Sequence, residues 1–229
     1  MELLPGIHLV DGVSSNVFVI AEPGGLTVID TGMPGSGPKI VAFVESLGRR
    51  VSDVRRILLT HQHVDHVGGA AALVQATGAE VVAHPLDAPA IAGDAPRELP
   101  RNALVRGLFR MLMIPRLQPV AVTHLVDDGE ILPVLAGEGG LRVVATPGHT
   151  RGQVAFYLPG QRVLFAGDAY IHLRGRVAPP PAMFTRDMAE ARKSLAALAQ
   201  LDVAASLPGH GAPITRDAGA LLAQAITPA

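Results

Sequence analysis

The chain has 229 residues, of which 48% are apolar and 17% are charged, and its formal net charge is −1. This is the composition of a globular protein. The chain has no cysteine, which excludes disulfides, thiolate metal ligands and a cysteine nucleophile. The near-neutral charge favours neither nucleic acid nor an anionic membrane as a partner, and no apolar run approaches the roughly 20 residues of a bilayer span.

The first third of the chain predicts short strands followed by helices. Three β-rich runs separated by Gly, Pro and Ser open it, at residues 7–10, 17–20 and 26–29. A helical pattern over 37–47 and a buried strand over 54–60 come next, and the strand runs directly into His61. A second helix is predicted over 68–77, ended by Gly78, and a further strand over 80–83.

The segment from about residue 85 to 123 differs in composition from the rest. It is rich in Pro and Arg and contains the apolar run 108–114. A helical insertion is the best interpretation of this pattern. Three roles stay open for it: a cover for the edge of the core, a substrate cap, or the surface of a homodimer.

The second half repeats the pattern of strands and then helices. Strands are predicted at 124–126, 141–145, 154–158, 163–166 and 203–207. Helices are predicted over 188–201, after the N-cap residue Asp187, and over 218–225. Two such rounds indicate two packed sheets with helices outside, in a single domain spanning 1–229. The N-terminal residues show no signal-peptide pattern, which predicts a cytoplasmic protein.

The most informative segment follows the buried strand that ends near residue 60. His61 and His63 are two residues apart, so in an extended backbone their imidazoles point the same way. Asp65 and His66 follow where the chain turns toward a helix opened by two glycines. Such a dense group of nitrogen and oxygen donors between a strand and a helix predicts a metal site.

Three more donor residues follow later strands, each on a Gly-containing loop where functional groups are often carried. His149 lies in the sequence Thr-Pro-Gly-His-Thr, Asp168 in Gly-Asp-Ala, and His210 in Pro-Gly-His-Gly. Each is weak alone. Together with the first group they form a set of seven candidate ligands.

The order of these motifs resembles the metallo-β-lactamase superfamily, and the resemblance extends from the first strands to His210. It implies an α/β fold, a four-layer αββα sandwich of two mixed sheets with outer helices, with metals at one edge between the sheets. It also implies that one metal is held by His61, His63 and His149, and the other by Asp65, His66 and His210. Asp168 would bridge them.

The implied cofactor is a pair of divalent metal ions, Zn²⁺ by preference, with Mn²⁺ or Fe²⁺ as alternatives for this donor set. Two metals sharing a water supply hydroxide at neutral pH. The expected activity is therefore hydrolysis of a small-molecule carboxylic ester, lactone or thioester, with Asp65 orienting the nucleophile or passing a proton. The motif string does not define the substrate.

Two further residues are interpreted through the same resemblance. Asp30, in an Asp-Thr-Gly step after a strand, resembles a residue that hydrogen-bonds a ligand histidine, and a simple turn residue is the alternative. Tyr170, close behind Asp168, is predicted to donate a hydrogen bond to the substrate, as a tyrosine does in lactone-cleaving relatives. His172 is interpreted as a solvated loop residue, and a hydrogen-bonding role like that of Tyr170 is the alternative.

Other functions within the superfamily compete with hydrolysis. Persulfide dioxygenases resemble the motif as well, bind one iron, and keep equivalents of His61, His149 and Asp168. A β-lactamase is disfavoured because one class needs a Cys ligand and others lack the carboxylate that Asp168 supplies. That carboxylate resembles the glyoxalase II and lactonase branches instead, although the short stretch after His210 disfavours glyoxalase II itself. The lack of basic charge disfavours nucleases, and a non-catalytic metal-binding scaffold is the alternative outside enzymes.

Overall fold

The computed structural model describes residues 1–99, 103–112, 117–133 and 139–226. Within these ranges, no helix is long and apolar enough to cross a membrane. The strands pair into two main sheets and a separate hairpin, and helices lie between them along the chain.

The first sheet has seven strands that lie side by side in chain order. They are β1 (Glu2–Leu4), β2 (Ile7–Leu9), β3 (Phe18–Glu22), β4 (Gly25–Ile29), β5 (Val54–Leu58), β6 (Glu80–Ala83) and β7 (His124–Leu125). The pairs from β1 to β4 are antiparallel, and those from β4 to β7 are parallel.

The second sheet has five strands, of which the last in the chain lies at one edge. They are β8 (Ile131–Leu132), β9 (Leu141–Ala145), β10 (Val154–Leu158), β11 (Val163–Gly167) and β14 (Ala205–Pro208), in the spatial order β14, β11, β10, β9, β8. All pairs are antiparallel except β11 with β14. Strands β12 (Ile171–Leu173) and β13 (Arg176–Ala178) form the hairpin.

The helices account for most of the remaining regular structure. They are α1 (Gly37–Ser46), α2 (Val64–Val67), α3 (Ala70–Thr77), α4 (Ala88–Ala92), α5 (Ala103–Leu112), α6 (Met188–Leu198) and α7 (Ala218–Ile226). Asp187 caps α6 as predicted, since its carboxylate accepts the backbone N–H groups of Ala189 and Glu190. Helices α4 and α5 lie in the predicted insertion, whose run 108–114 extends beyond the described residues after Leu112.

Strand alternation sorts the apolar side chains into layers. On β3, Phe18 and Ile20 join a core between the two sheets, while Val19 joins a second core under α1 and α3. On β11, Phe165 contributes to the core between the sheets and Leu164 to a third core under α6 and α7. Three apolar layers separate four layers of backbone, which confirms the predicted αββα sandwich.

Several local features differ from the sequence prediction, among them strands β1 and β8, which were not predicted, and two differences lie beside the candidate ligands. The helix predicted over 68–77 begins at Ala70, and a separate short helix, α2, precedes the two glycines Gly68 and Gly69. The β12–β13 hairpin was not predicted at all. Its turn, Arg174-Gly175, has positive φ at both residues, as a two-residue hairpin turn requires.

Candidate metal centre

The seven candidate ligands meet at one edge of the molecule, between the two sheets. The four segments that carry them follow the carboxyl ends of β5, β9, β11 and β14. The edge is tied together across the sheets, because Val154 N donates to Thr60 O at 2.9 Å and Asn16 N donates to Gly209 O at 2.8 Å. The two sheets therefore hold donor groups from distant parts of the chain in one place.

The donors form three overlapping groups, each with its nitrogen and oxygen atoms within 4.8 Å of one another. The groups are His61 with His63 and His149, His61 with His66 and Asp168, and Asp65 with His66 and His210. The first and the last are the two sets that the resemblance implied. The structure thus brings all seven residues together, while their role as ligands stays a prediction.

Asp168 lies between the two sets, with both carboxylate oxygens close to imidazole nitrogens. Its Oδ2 is 3.3 Å from His149 Nε2 and 3.5 Å from His210 Nε2, and its Oδ1 is 3.4 Å from His66 Nε2. The loop after β14 must be glycine at 209, since a Cβ there would lie 2.3 Å from Asp168 Oδ1. Asp168 therefore lies close to imidazoles of both sets.

The donor set fits divalent metal ions, because it leaves polar atoms without other partners. His61 Nε2 and Asp168 Oδ1 are buried and have no hydrogen-bond partner among the described residues. His149 Nε2 and His63 Nδ1 face each other at 2.9 Å. If each imidazole carried its proton on its second ring nitrogen, both of these facing nitrogens would be free to bind a metal ion. Buried polar groups are otherwise satisfied in nearly all proteins.

The histidines of the first set are held neutral by their surroundings. Burial and the neighbouring imidazoles lower the pKa of His61 and His149 well below the ordinary value. Burial likewise lowers the pKa of His63 to about 4. A neutral imidazole is the form that binds a metal ion.

The second set is electrostatically different because carboxylates surround it. Burial acts to lower the pKa of His66, but nearby carboxylates outweigh it and raise the pKa to about 10, namely those of Asp168, Asp30 and Asp65. Burial acts to raise the pKa of Asp65, and His66 and His210 reverse this and hold it well below its usual range. A concentration of negative charge at this set favours a cation.

Asp30 holds His66 in place, as the resemblance implied. It is buried with φ of 59°, and its Oδ2 accepts His66 Nδ1–H at 2.7 Å. The same carboxylate accepts the N–H of Thr60 at 2.8 Å and its hydroxyl. Because Nδ1 of His66 carries the proton, its Nε2 is left to face Asp168 and His210.

A cavity of about 330 Å³ opens beside the donors. Five of the candidate ligands line it, namely His63, Asp65, His149, Asp168 and His210. The apolar part of its lining, called the apolar side below, consists of Ile171, Leu173, Pro181 and Phe184, and Glu98 is a further lining residue. A small molecule that enters this cavity can therefore reach the candidate ligands.

Comparison with known proteins agrees with this geometry. Residues 10–210 match the family described as the Metallo-beta-lactamase superfamily. The chain belongs to the metallo-beta-lactamase superfamily.

Relatives of this superfamily member carry several names. A protein of Bacillus subtilis named probable metallo-hydrolase YflN is 30% identical over 93% of this chain and 87% of its own length. A hydroxyacylglutathione hydrolase of Rhodobacter capsulatus is 33% identical, over 62% of this chain and 44% of its own length. A metallo-beta-lactamase family protein from Thermus thermophilus has a TM-score of 0.75, with 27% identity, covering 98% of this chain and 79% of its own.

The prediction for Tyr170 in this superfamily member has to be corrected. Its side chain is fully buried in the core under α6 and α7, and its hydroxyl donates to Ser206 Oγ at 2.5 Å. It does not line the cavity. The neighbouring residues Ile171 and Leu173 line the cavity instead, because the chain enters β12 directly after Tyr170.

The expectation of a solvated His172 was also wrong. The residue is 9% exposed, and its Nδ1 donates to Ala212 O at 2.7 Å. Its backbone pairs with the loop of His210, since His172 N donates to His210 O at 3.3 Å. No strand signal marks this segment in the sequence, so its buried position was missed.

Sequence reasoning missed Asp87, which joins two of the loops that carry candidate ligands. It is fully buried at the start of α4, and its carboxylate accepts four hydrogen bonds. Gln62 supplies a backbone N–H at 2.9 Å and its side-chain amide at 3.0 Å, and Thr150 and Gly152 supply the others. Asp87 therefore connects the loop of His61 and His63 to the loop of His149.

Proposed function

We propose that the chain is a binuclear metal-dependent hydrolase acting on a carboxylic ester, lactone or thioester. The observation that carries this proposal is the position of Asp168, whose two oxygens lie within 3.5 Å of histidines from both donor sets. A carboxylate so placed can serve two metal ions at once, and the mixed nitrogen and oxygen donors suit Zn²⁺, Mn²⁺ or Fe²⁺.

The chemistry of such a centre is hydrolytic. A pair of divalent metal ions held by these residues would supply hydroxide at neutral pH and would polarise the oxygen of a carbonyl group. His61, His63 and His149 would hold one ion and Asp65, His66 and His210 the other. The neutral state of the first three, caused by their burial, is the state required for binding.

Asp65 is the residue suited to handle protons. It faces the cavity, and its Oδ2 lies 3.0 Å from His210 Nε2. Its lowered pKa keeps the carboxylate ionised at neutral pH, so that it can orient a nucleophile. Passing a proton to the leaving group is the second role that we propose for it. This role follows the one that the sequence suggested.

The relatives support hydrolysis in general terms. One is named a probable metallo-hydrolase, and several are named hydroxyacylglutathione hydrolases, which supports a thioester among the candidate substrates. The match to the Rhodobacter capsulatus protein covers only 44% of that protein's length, so the glutathione part of its name is not carried over to this chain.

A substrate panel tests the proposal. The metal-loaded protein should hydrolyse at least one of a set of aryl esters, lactones and acyl thioesters. Asp168→Ala should lower kcat/KM by at least about 100-fold, because both metal ions lose a ligand. Asp94→Ala, which alters an exposed carboxylate, is the matched control and should keep full activity.

The panel also has an outcome that contradicts the proposal. The proposal would be overturned if protein with two metal ions bound hydrolysed none of the esters, lactones and thioesters. Oxygen uptake with a persulfide, from protein carrying one iron, would establish the dioxygenase alternative in its place. Wild-type activity in Asp168→Ala would refute the bridging role of that carboxylate.

A further inference from the structure

Four apolar residues contribute to the lining of the cavity beside the donors, and within the described ranges the lining has neither Lys nor Arg. Its lining contains three carboxylates, those of Asp65, Asp168 and Glu98, but neither Lys nor Arg. Arg186 lies in an adjoining depression, where its Nε is 3.7 Å from Glu98 Oε1. A negatively charged tail on a substrate would meet neither Lys nor Arg in the described lining of this cavity, and Glu98 would repel it.

One part of the apolar side is attached to the loop of His210. Ile171 and Leu173 are two residues apart on β12, so both side chains point to the same face of the strand, toward the cavity. His172, between them, points the other way and donates to Ala212 O. Gly211 permits this close contact, since a Cβ there would lie 1.9 Å from His172 O.

The other part of the apolar side is attached to His149. Pro181 and Phe184 belong to a turn in which Thr185 Oγ1 donates to Pro181 O at 2.9 Å. Thr185 Oγ1 also lies 3.2 Å from His149 Nδ1, and Arg186 N donates to His149 O at 3.1 Å. Both apolar surfaces are therefore fixed relative to residues of the donor sets.

We propose that this apolar side, formed by Ile171, Leu173, Pro181 and Phe184, binds the uncharged acyl chain of the substrate. The inference rests on the proposed function and narrows it to esters, thioesters or lactones with a linear, apolar acyl part. Leu173 is the residue that sets preference for chain length, because it is 57% exposed on the hairpin and contributes to the cavity wall. The helical insertion contributes Glu98 to this wall but no apolar side chain among its described residues.

The test measures binding, so that it stands apart from turnover. Linear alkyl trifluoromethyl ketones are uncharged and cannot be hydrolysed as esters. Their dissociation constants for the metal-loaded protein are measured by calorimetry as the chain lengthens. Each added methylene should tighten binding about threefold to fourfold, which corresponds to roughly 0.8 kcal/mol per buried CH₂. A carboxylate at the far end of the chain should remove this gain.

The variants locate the effect. Leu173→Ala and Phe184→Ala should leave the dissociation constant of the shortest ketone unchanged. They should weaken the dependence of the dissociation constant on chain length. Leu125→Ala alters a leucine that is 54% exposed on β7 and lines neither this cavity nor the adjoining depression, so it should behave as wild type. Circular dichroism and metal content verify that each variant is folded and loaded.

Two results would overturn the inference. One is binding that does not depend on chain length in the wild type, and the other is an unchanged dependence in Leu173→Ala. Either can occur while esters are still hydrolysed, so this failure is distinct from that of the proposed function. Conversely, if the protein hydrolyses no substrate but binds longer ketones more tightly, the result would support the apolar binding site and refute the proposed hydrolase activity.

Discussion

Individual side chains at this centre are positioned by hydrogen bonds that the sequence motif does not show. Asp30 is the clearest case, because its carboxylate joins His66 to the backbone and hydroxyl of Thr60. A motif can indicate the ligand, but the partner on the far side of the imidazole is 36 residues away in the chain. Its Asp-Thr-Gly setting was the one signal available.

We therefore expect Asp30→Asn to weaken metal binding. The neutral amide cannot match the charge of the carboxylate, and residues that orient a ligand histidine commonly change metal affinity by about 10–100-fold. The measurement is competition with a chromogenic chelator, with Asp94→Asn as the exposed control. An affinity equal to that of the wild type would show that Asp30 is only a turn residue.

The titrating histidines make a second prediction, for the stability of the metal-free protein. His63 has a pKa of about 4 in the folded chain, below the ordinary value of 6.5, so between these two pH values the unfolded state binds more protons. Stability therefore falls as the pH drops through this window, and His61 and His149 act in the same direction.

His66 acts in the opposite direction because its folded-state pKa is raised to about 10. Above the ordinary value the folded state binds the extra proton, so stability is lost as the pH rises toward 10. His210 has a raised pKa as well. Urea unfolding of chelator-treated protein should show maximal stability near about pH 6.5. A free energy of unfolding that rises steadily across the whole range from acid to alkaline pH would contradict the assigned shifts.

At the scale of elements, the sequence predicted the strands and helices that have a clear alternation or periodicity of apolar residues. Strands β3, β5 and β11 were placed correctly because their apolar residues alternate or run together, and α6 because Asp187 gives a clear N-cap. The hairpin after Asp168 was missed because its strands have three residues each. Such short strands carry no period, and their position depends on contacts with the loop of His210.

Asp87 shows how one residue at the start of α4 holds two loops together. Asp87→Ala would leave four hydrogen-bond donors without their acceptor, in a fully buried position. Each unsatisfied buried group costs about 1–3 kcal/mol, so we expect the free energy of unfolding to fall by at least about 3 kcal/mol. Denaturant titration measures this, with the exposed Asp94→Ala as the control. Equal stability of the two variants would refute the connecting role.

At the scale of the whole molecule, the order of donor residues was sufficient to predict the superfamily, the four layers and the meeting of seven side chains. What it did not predict is the substrate side of the cavity. Tyr170 was placed there from the resemblance, whereas the structure buries it against Ser206 and presents Leu173. Which residues face a cavity depends on where a loop becomes a strand, and a ligand motif does not encode that.

Two metal ions with Asp168 between them are the feature on which the proposed chemistry of the whole molecule depends. Elemental analysis of protein purified without chelator, alongside Asp168→Ala, tests it most directly. We expect two divalent ions per chain in the wild type and at most one in the variant. A single iron per chain, or no metal at all, would contradict the binuclear centre.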